Sequence, residues 1–445
     1  MPSPPGTDAP RRLIDALRYV GPGLILTAGI VGTGELVLTP RMAAEHGFSL
    51  LWLVVLGCVI KVFVQVELGR YAVATGTPTL RAMNDIPGPR LRVSWMLWIW
   101  LPVFIAMISV VGGILGATAE VLRMAGVDMD RRMLAAILGV LCALLLGSGR
   151  YGVVELVCTA LVAVFIFATG FAVVALQWTP FAVTWTNIAE GFAFELPPNF
   201  ATAFAAFGLI GVGAAELMYY PYWCLEKGYG QRVGPRTDRG VWLGRARGWL
   251  RVMRVDAWSS MIVYTTSTVA FYLLGAAVLH AKGLEVANQD LVQTLAHMYQ
   301  ETFGSFGLVA FLVGAFAVLY STAFAGSASN GRLLADAIGL WSRETPDPDS
   351  DLHRRRVRWC SIAMPLYATA VYLVLPQPVT LILINGIGQA ILLPFLGGLA
   401  LYLRYRRLEQ ELRPGSLWTT FLWVSASCMA CVGLWQLVQE IARRL

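Results

Sequence analysis

Charge is scarce in this chain. Asp, Glu, Lys and Arg make up 14% of its 445 residues, against about 25% in ordinary soluble domains. Histidine is scarcer still, with four copies at positions 46, 280, 297 and 353, all expected at helix ends or in loops. The seven cysteines show no CxxC or Cys/His spacing, which argues against a zinc site and against a disulfide framework. These shortages leave an intramembrane enzyme without a nucleophile–base pair or a ligand cluster inside its spans. The expectation is therefore no enzyme and no cofactor. What is present is apolar: 57% hydrophobic residues and a mean hydropathy of +0.63.

The apolar residues fall into runs long enough to cross a bilayer as helices. Eleven are read, over 19–46, 48–75, 94–125, 132–148, 151–177, 199–227, 255–281, 305–335, 359–376, 378–403 and 416–438. The start, MPSPPGTDAPRR, is polar and proline-rich, and no cleavable signal is read before the first span. The net charge of +7 comes from arginines that gather between spans, as in the basic loop 228–254 and at Arg354–Arg356 and Arg358. The connection 178–198 has no lysine or arginine. This asymmetry fits the positive-inside rule better than a nucleic-acid partner. It places the tail 1–18 in the cytoplasm, 178–198 outside, and the protein in a plasma membrane, expected to be a bacterial inner membrane. Trp242, Leu243, Trp249 and Leu250 among the arginines also allow 228–254 to be an interfacial amphipathic helix.

Two segments break the apolar pattern in the same way. GIVGTGELVLTP runs from Gly29 to Pro40, and GLIGVGAAELMYYP from Gly208 to Pro221. Both set spaced glycines before Glu-Leu-x-x-x-Pro. Five spans separate their starts, and an odd number inverts the second copy relative to the first. Interrupted helices in matching positions of two inverted halves are the sequence signature of a secondary transporter. The halves are 19–177 and 199–403, followed by an extra span at 416–438. Gly32, Thr33 and Gly34, and Gly211, Gly213, Ala214 and Ala215, have little side-chain bulk. They let the backbone leave the helix, which membrane depth tolerates only beside protein or a watery cavity. Glu35 and Glu216 stand at the two breaks as functional candidates, including for carrying a proton.

With these residues in view, the chain resembles the Nramp family of divalent-metal transporters. The likeness rests on the opening Gly-Pro-Gly at 21–23, HGFSLLW at 46–52, Gln65, Ala-Thr-Gly at 74–76, Leu115–Thr118, Glu155, the broken sixth span, and Gln389 with Pro394-Phe395. The resemblance implies an all-α, LeuT-like bundle of five plus five inverted helices, with discontinuous helices 1 and 6 flanking a midplane site. The family's Asp-Pro-Gly-Asn break falls on Gly32-Thr33-Gly34-Glu35, where only the glycine is kept. Its Ala-x-x-Met-Pro-His motif falls near Ala214–Tyr219, with Leu217 at the thioether, Met218 beside it and Tyr219 at the histidine. The acidic residues of the third helix fall on Val110 and Gly113.

Two substrates fit these residues differently. A hexose-like solute is the leading expectation: Glu35, Glu216, Asn385 and Gln389 would grip hydroxyls, Tyr219, Tyr220, Tyr222 and Trp223 would supply apolar faces, and Gly32, Thr33, Gly34 and Ala215 would make room. The alternative is Mn²⁺ or Mg²⁺ held by Glu35, Glu216 and Thr33, because oxygen-only sites suit hard cations. The remaining expectations are a small-molecule substrate, possible proton coupling, a lipid bilayer as the surroundings, and a monomer.

Overall fold

The computed structural model describes residues 6–32, 39–195, 210–283, 291–344 and 350–442. In chain order its elements are α1 (Leu13–Leu17), α2 (Pro22–Ile30), α3 (Thr39–His46), α4 (Leu51–Ile60), α5 (Val62–Thr75), α6 (Thr79–Asn84), β1 (Arg90–Leu91), β2 (Val93–Ser94), α7 (Trp95–Met124), α8 (Arg131–Leu146), α9 (Tyr151–Leu176) and α10 (Trp185–Gly191). Then follow α11 (Ala214–Glu226), α12 (Tyr229–Val233), α13 (Arg239–Leu274), α14 (Leu291–Trp341), α15 (Asp351–Val374), α16 (Pro378–Tyr402) and α17 (Ser416–Ala442). Among the described residues, seven helices are long and apolar enough to cross a membrane.

Neither of the two glycine-rich segments continues as a rod. The helix α2 ends at Ile30, Val31 leaves the helical region, and the next described helix is α3 from Thr39. In the second segment, residues 210–213 are non-helical, Gly211 has a φ of +69°, and α11 starts at Ala214. A positive φ is the conformation for which glycine carries no steric penalty. A Cβ at Gly211 would also come within 2.8 Å of the Cys58 Cα.

α2 and α11 lie at the centre. α2 packs on α9, α11, α13 and α14, and α11 packs on α5 and α2. Around them, α14 packs on α7, α9 and α15, and α16 on α7 and α17. Close approach depends on small residues: a Cβ at Gly112 or Gly116 of α7 would lie 2.2 Å from the Ala368 carbonyl or 2.4 Å from the Tyr372 ring of α15. Small residues at helix contacts are how membrane helices pack without a hydrophobic driving force between them.

The segment 228–254 is not a loop. It is α12 followed by the first half of α13, which runs unbroken for 36 residues. Asp238 caps α13 by accepting from the Gly240 and Val241 N–H groups at 2.8 and 3.1 Å. The apolar residues read as a lipid-facing stripe point inward instead. Trp242, Trp249 and Leu250 are buried, and Trp249 stacks on Tyr229 at 5.9 Å. The polar tail is tied to the same helix, since Trp249 Nε1 donates to the Thr7 carbonyl at 2.8 Å and Arg251 to the Pro10 carbonyl at 2.7 Å.

Candidate functional site at the helix breaks

The second break brings side-chain oxygens together. Gly213 is the N-cap of α11, and Glu216 lies in the first turn, where a carboxylate complements the helix N-terminus. The Glu216 carboxylate lies against the Gly213 backbone. From α16, Gln389 presents its Oε1 to the same place and accepts weakly from the Ala215 N–H at 3.4 Å. A Cβ on Gly213 would lie 2.0 Å from Gln389 Oε1 and 2.5 Å from Glu216 Oε2. The glycine is thus the floor on which two oxygens from different helices converge. Asn385 is buried one turn before Gln389 on the same face of α16.

The first break faces this point. A Cβ on Gly29 would sit 3.9 Å from Glu216 Oε1. Gly32 is pressed against α14, and a Cβ there would lie 2.0 Å from Thr322 Oγ1. Thr322 donates to the Ala28 carbonyl at 2.8 Å, which satisfies a carbonyl at the end of α2. Thr33, Gly34 and Glu35 lie outside the described residues. The structure therefore brings Ala215, Glu216 and Gln389 together, with Asn385 beside them and Gly32 as a contact on α14.

The aromatic residues after the second break are engaged elsewhere. The Tyr219 hydroxyl donates to Asn330 at 2.8 Å, Tyr222 to Asp336 at 2.7 Å, and Trp223 Nε1 to Ser329 at 3.1 Å. Tyr220 donates to Asp256 at 2.9 Å. All four are buried, holding α11 to α13 and α14. They offer neither a free hydroxyl nor an open ring face to a sugar.

Of three buried polar residues near the breaks, Asp256 and Lys61 were not singled out from sequence, and Gln65 was named only for the family likeness. Asp256 of α13 accepts from the N–H groups of Gly21 and Gly23 at 2.8 and 2.9 Å, around the proline that opens α2. Lys61, at the junction of α4 and α5, is 1% exposed, and its charge acts on Glu216. Gln65 follows one turn later, fully buried, with neither amide atom hydrogen-bonded. Cys58, Lys61 and Gln65 share a helical spacing, and Cys58 touches the break at Gly211. An ionisable residue amid an apolar run was the available signal for Lys61. Asp256 gave none, because it borders an arginine-rich stretch. Among the described residues, no three His, Cys, Asp or Glu side chains gather as a metal cluster.

Comparison with known proteins places this geometry. The family model described as natural resistance-associated macrophage protein-like matches residues 23–439. The chain belongs to the Nramp family. Among its relatives is the divalent metal cation transporter MntH of Caldanaerobacter subterraneus, 23% identical over 73% of this chain and 72% of that one. The MntH of Deinococcus radiodurans is 24% identical over 75% and 71%. In structure the chain is similar to a variant of the Eremococcus coleocola manganese transporter, with a TM-score of 0.74 at 16% identity over 98% of this chain and 90% of that one. It is also similar to Mhp1, a nucleobase-cation-symport-1 family transporter, with a TM-score of 0.60 at 16% identity over 98% and 94%. The LeuT-like bundle of five plus five inverted helices expected from the sequence holds for this Nramp member.

The expectation of a sugar substrate is overturned. Relatives over more than two thirds of the chain are divalent metal cation transporters. The residues assigned to sugar stacking are structural contacts between helices. Their aromatic density was misread because tyrosines that bond neighbouring helices and tyrosines that bind ligands look alike in sequence.

Proposed function

We propose that this protein carries a divalent metal cation, Mn²⁺ or Mg²⁺, across the membrane by alternating access, and catalyses no reaction. The observation that supports this most is the convergence of the Glu216 carboxylate and the Gln389 amide oxygen on Gly213, beside a helix break. Oxygen donors of this kind suit hard cations, which retain part of their water shell. Glu35 and Thr33, by sequence at the matching break, complete the donor set, and Gln65 is a further buried amide without another partner. In this reading one chain supplies the donors, so the transport unit is a monomer, and the arginine distribution puts its N-terminus in the cytoplasm of a bacterial inner membrane.

The two glutamates also suit proton coupling, since a carboxylate at membrane depth holds a proton readily when no cation is bound. Lys61 offsets part of the Glu216 charge. Uptake of Mn²⁺ and Mg²⁺ into proteoliposomes tests the reading, with and without an inward proton gradient. Glu216→Gln and Glu35→Gln are each expected to lower uptake about tenfold or more, the effect of losing about 1.4 kcal/mol of cation binding. They should also flatten its dependence on the gradient. Wild-type vesicles that take up neither ion, or variants that match wild type, would defeat the assignment.

A further inference from the structure

Away from the transport site, a cleft of about 520 Å³ opens between α5, α13 and the start of α17. Its walls include Phe63, Trp258, Trp418 and Phe421, and Arg254 and Ser416 stand at its polar end. Phe63 is central, stacking on Phe421 at 5.1 Å and meeting Trp418 at 4.9 Å and Trp258 at 5.8 Å. Among the described residues, no acidic side chain lines it.

Three observations give this cleft a positive character that the protein does not neutralise. Arg254 keeps a buried Nε with no hydrogen-bond partner. α17 begins at Ser416, so its first N–H groups have no partner within the helix and carry the positive end of its dipole. Behind Trp418, the buried carboxylate of Glu67 is shared by Arg70 at 3.3 Å, Arg404 at 3.2 Å and Trp418 Nε1 at 3.0 Å. Two guanidiniums against one carboxylate leave an excess positive charge. Both arginines are at least 96% buried, and each retains an unpartnered nitrogen, Arg70 Nη2 and Arg404 Nε. Glu409 and Glu411 are engaged by Arg236 and Arg239, and Asp256 by the Gly21 and Gly23 N–H groups and Tyr220. Uncompensated buried positive charge is costly, and an anion relieves it.

The surroundings specify which anion. Further along α13 and α17, Ile262, Phe421 and Val424 are exposed apolar residues, as expected of a surface facing lipid tails. The cleft therefore joins a cationic, helix-terminus pocket to an apolar groove between spans, at the arginine-rich end of the bundle. Basic pockets between helices on that side suit anionic headgroups.

We propose that this cleft is a binding site for an anionic phospholipid. Its phosphodiester lies at Arg254 and the α17 N-terminus, and its acyl chains follow Phe63, Trp258 and Phe421 outward. The site is separate from the cation pathway.

Native mass spectrometry of the purified chain, titrated with phosphatidylglycerol, with phosphatidylcholine of the same chain length, or with inorganic phosphate, tests the proposal. Phosphatidylglycerol is expected to bind about fivefold tighter than phosphatidylcholine, the equivalent of the ~1 kcal/mol that one basic residue contributes at a membrane surface. Arg254→Gln should abolish that preference and Arg254→Lys should retain it, which separates lost charge from lost folding. A preference that survives in Arg254→Gln, or none in wild type, would overturn the site. Inorganic phosphate that binds as tightly as phosphatidylglycerol, and is lost in Arg254→Gln, would make the ligand a free phosphate and overturn the lipid assignment.

Discussion

At the scale of single residues, Gly213 decides whether the site can form. Two oxygens from different helices use the space a methyl group would fill, at 2.0 and 2.5 Å. Gly213→Ala must displace Gln389, Glu216 or both. Its backbone tolerates alanine, with φ −82° and ψ 176°, so folding is expected to survive. Cation uptake in vesicles should fall about tenfold or more. The double variant Gly213→Ala, Gln389→Ala should recover part of that loss, because it removes the clashing amide. A single variant with wild-type uptake would show that the oxygens do not need this floor. Glu216 was legible because a carboxylate inside a repeated glycine motif is conspicuous. The partners of Tyr219, Tyr222 and Trp223 were not, since Asn330, Asp336 and Ser329 lie more than a hundred residues away and nothing local marks the pairing.

At the scale of elements, the broken helices are held by polar bonds to unbroken ones. Asp256 takes the two N–H groups that flank Pro22, so α13 anchors the start of α2, and Tyr220 brings α11 to the same carboxylate. Hydrogen bonds to a charged group contribute about 1.5–3 kcal/mol each in net terms. Asp256→Asn keeps the volume but turns an amide toward one of the donors. It is expected to lower unfolding free energy by about 2 kcal/mol or more, and by more than Tyr220→Phe, which removes one bond. Thermal unfolding in detergent would measure both, and equal effects would refute the anchoring role. The apolar runs gave most spans to within a few residues. They missed the first half of α13 because arginines there interrupt the hydrophobic signal, although the tryptophans between them are buried against α12 and the N-terminal segment. Periodicity reports what faces lipid or core; it is silent where a charged helix extends beyond the bilayer.

At the scale of the whole molecule, inversion was legible because it needs only two matching motifs and an odd number of spans between them. Substrate was not, because a conserved scaffold with replaced ligands supports several chemistries. Charge supplies the remaining global property, orientation. Arg236, Arg239 and Arg247 meet the acidic pair Glu409 and Glu411 beside Arg406 and Arg407, all at one end of the bundle. The segment around α10 carries no lysine or arginine, and its Trp178 and Trp185 are 80% and 85% exposed, in the manner of residues at a membrane interface. Lysine and arginine resist translocation, so the arginine-rich end is expected to face the cytoplasm. Cys431 is exposed and Cys428 half-buried, so both are first replaced by serine. In that background a cysteine at Thr186, exposed on α10, should react with a membrane-impermeant maleimide in intact cells. One at Gly240, exposed on α13, should react only once the membrane is opened. The reverse pattern would invert the protein and exchange the two faces of the proposed cation transport; labelling of both sites from outside would mean that arginine content does not govern its insertion.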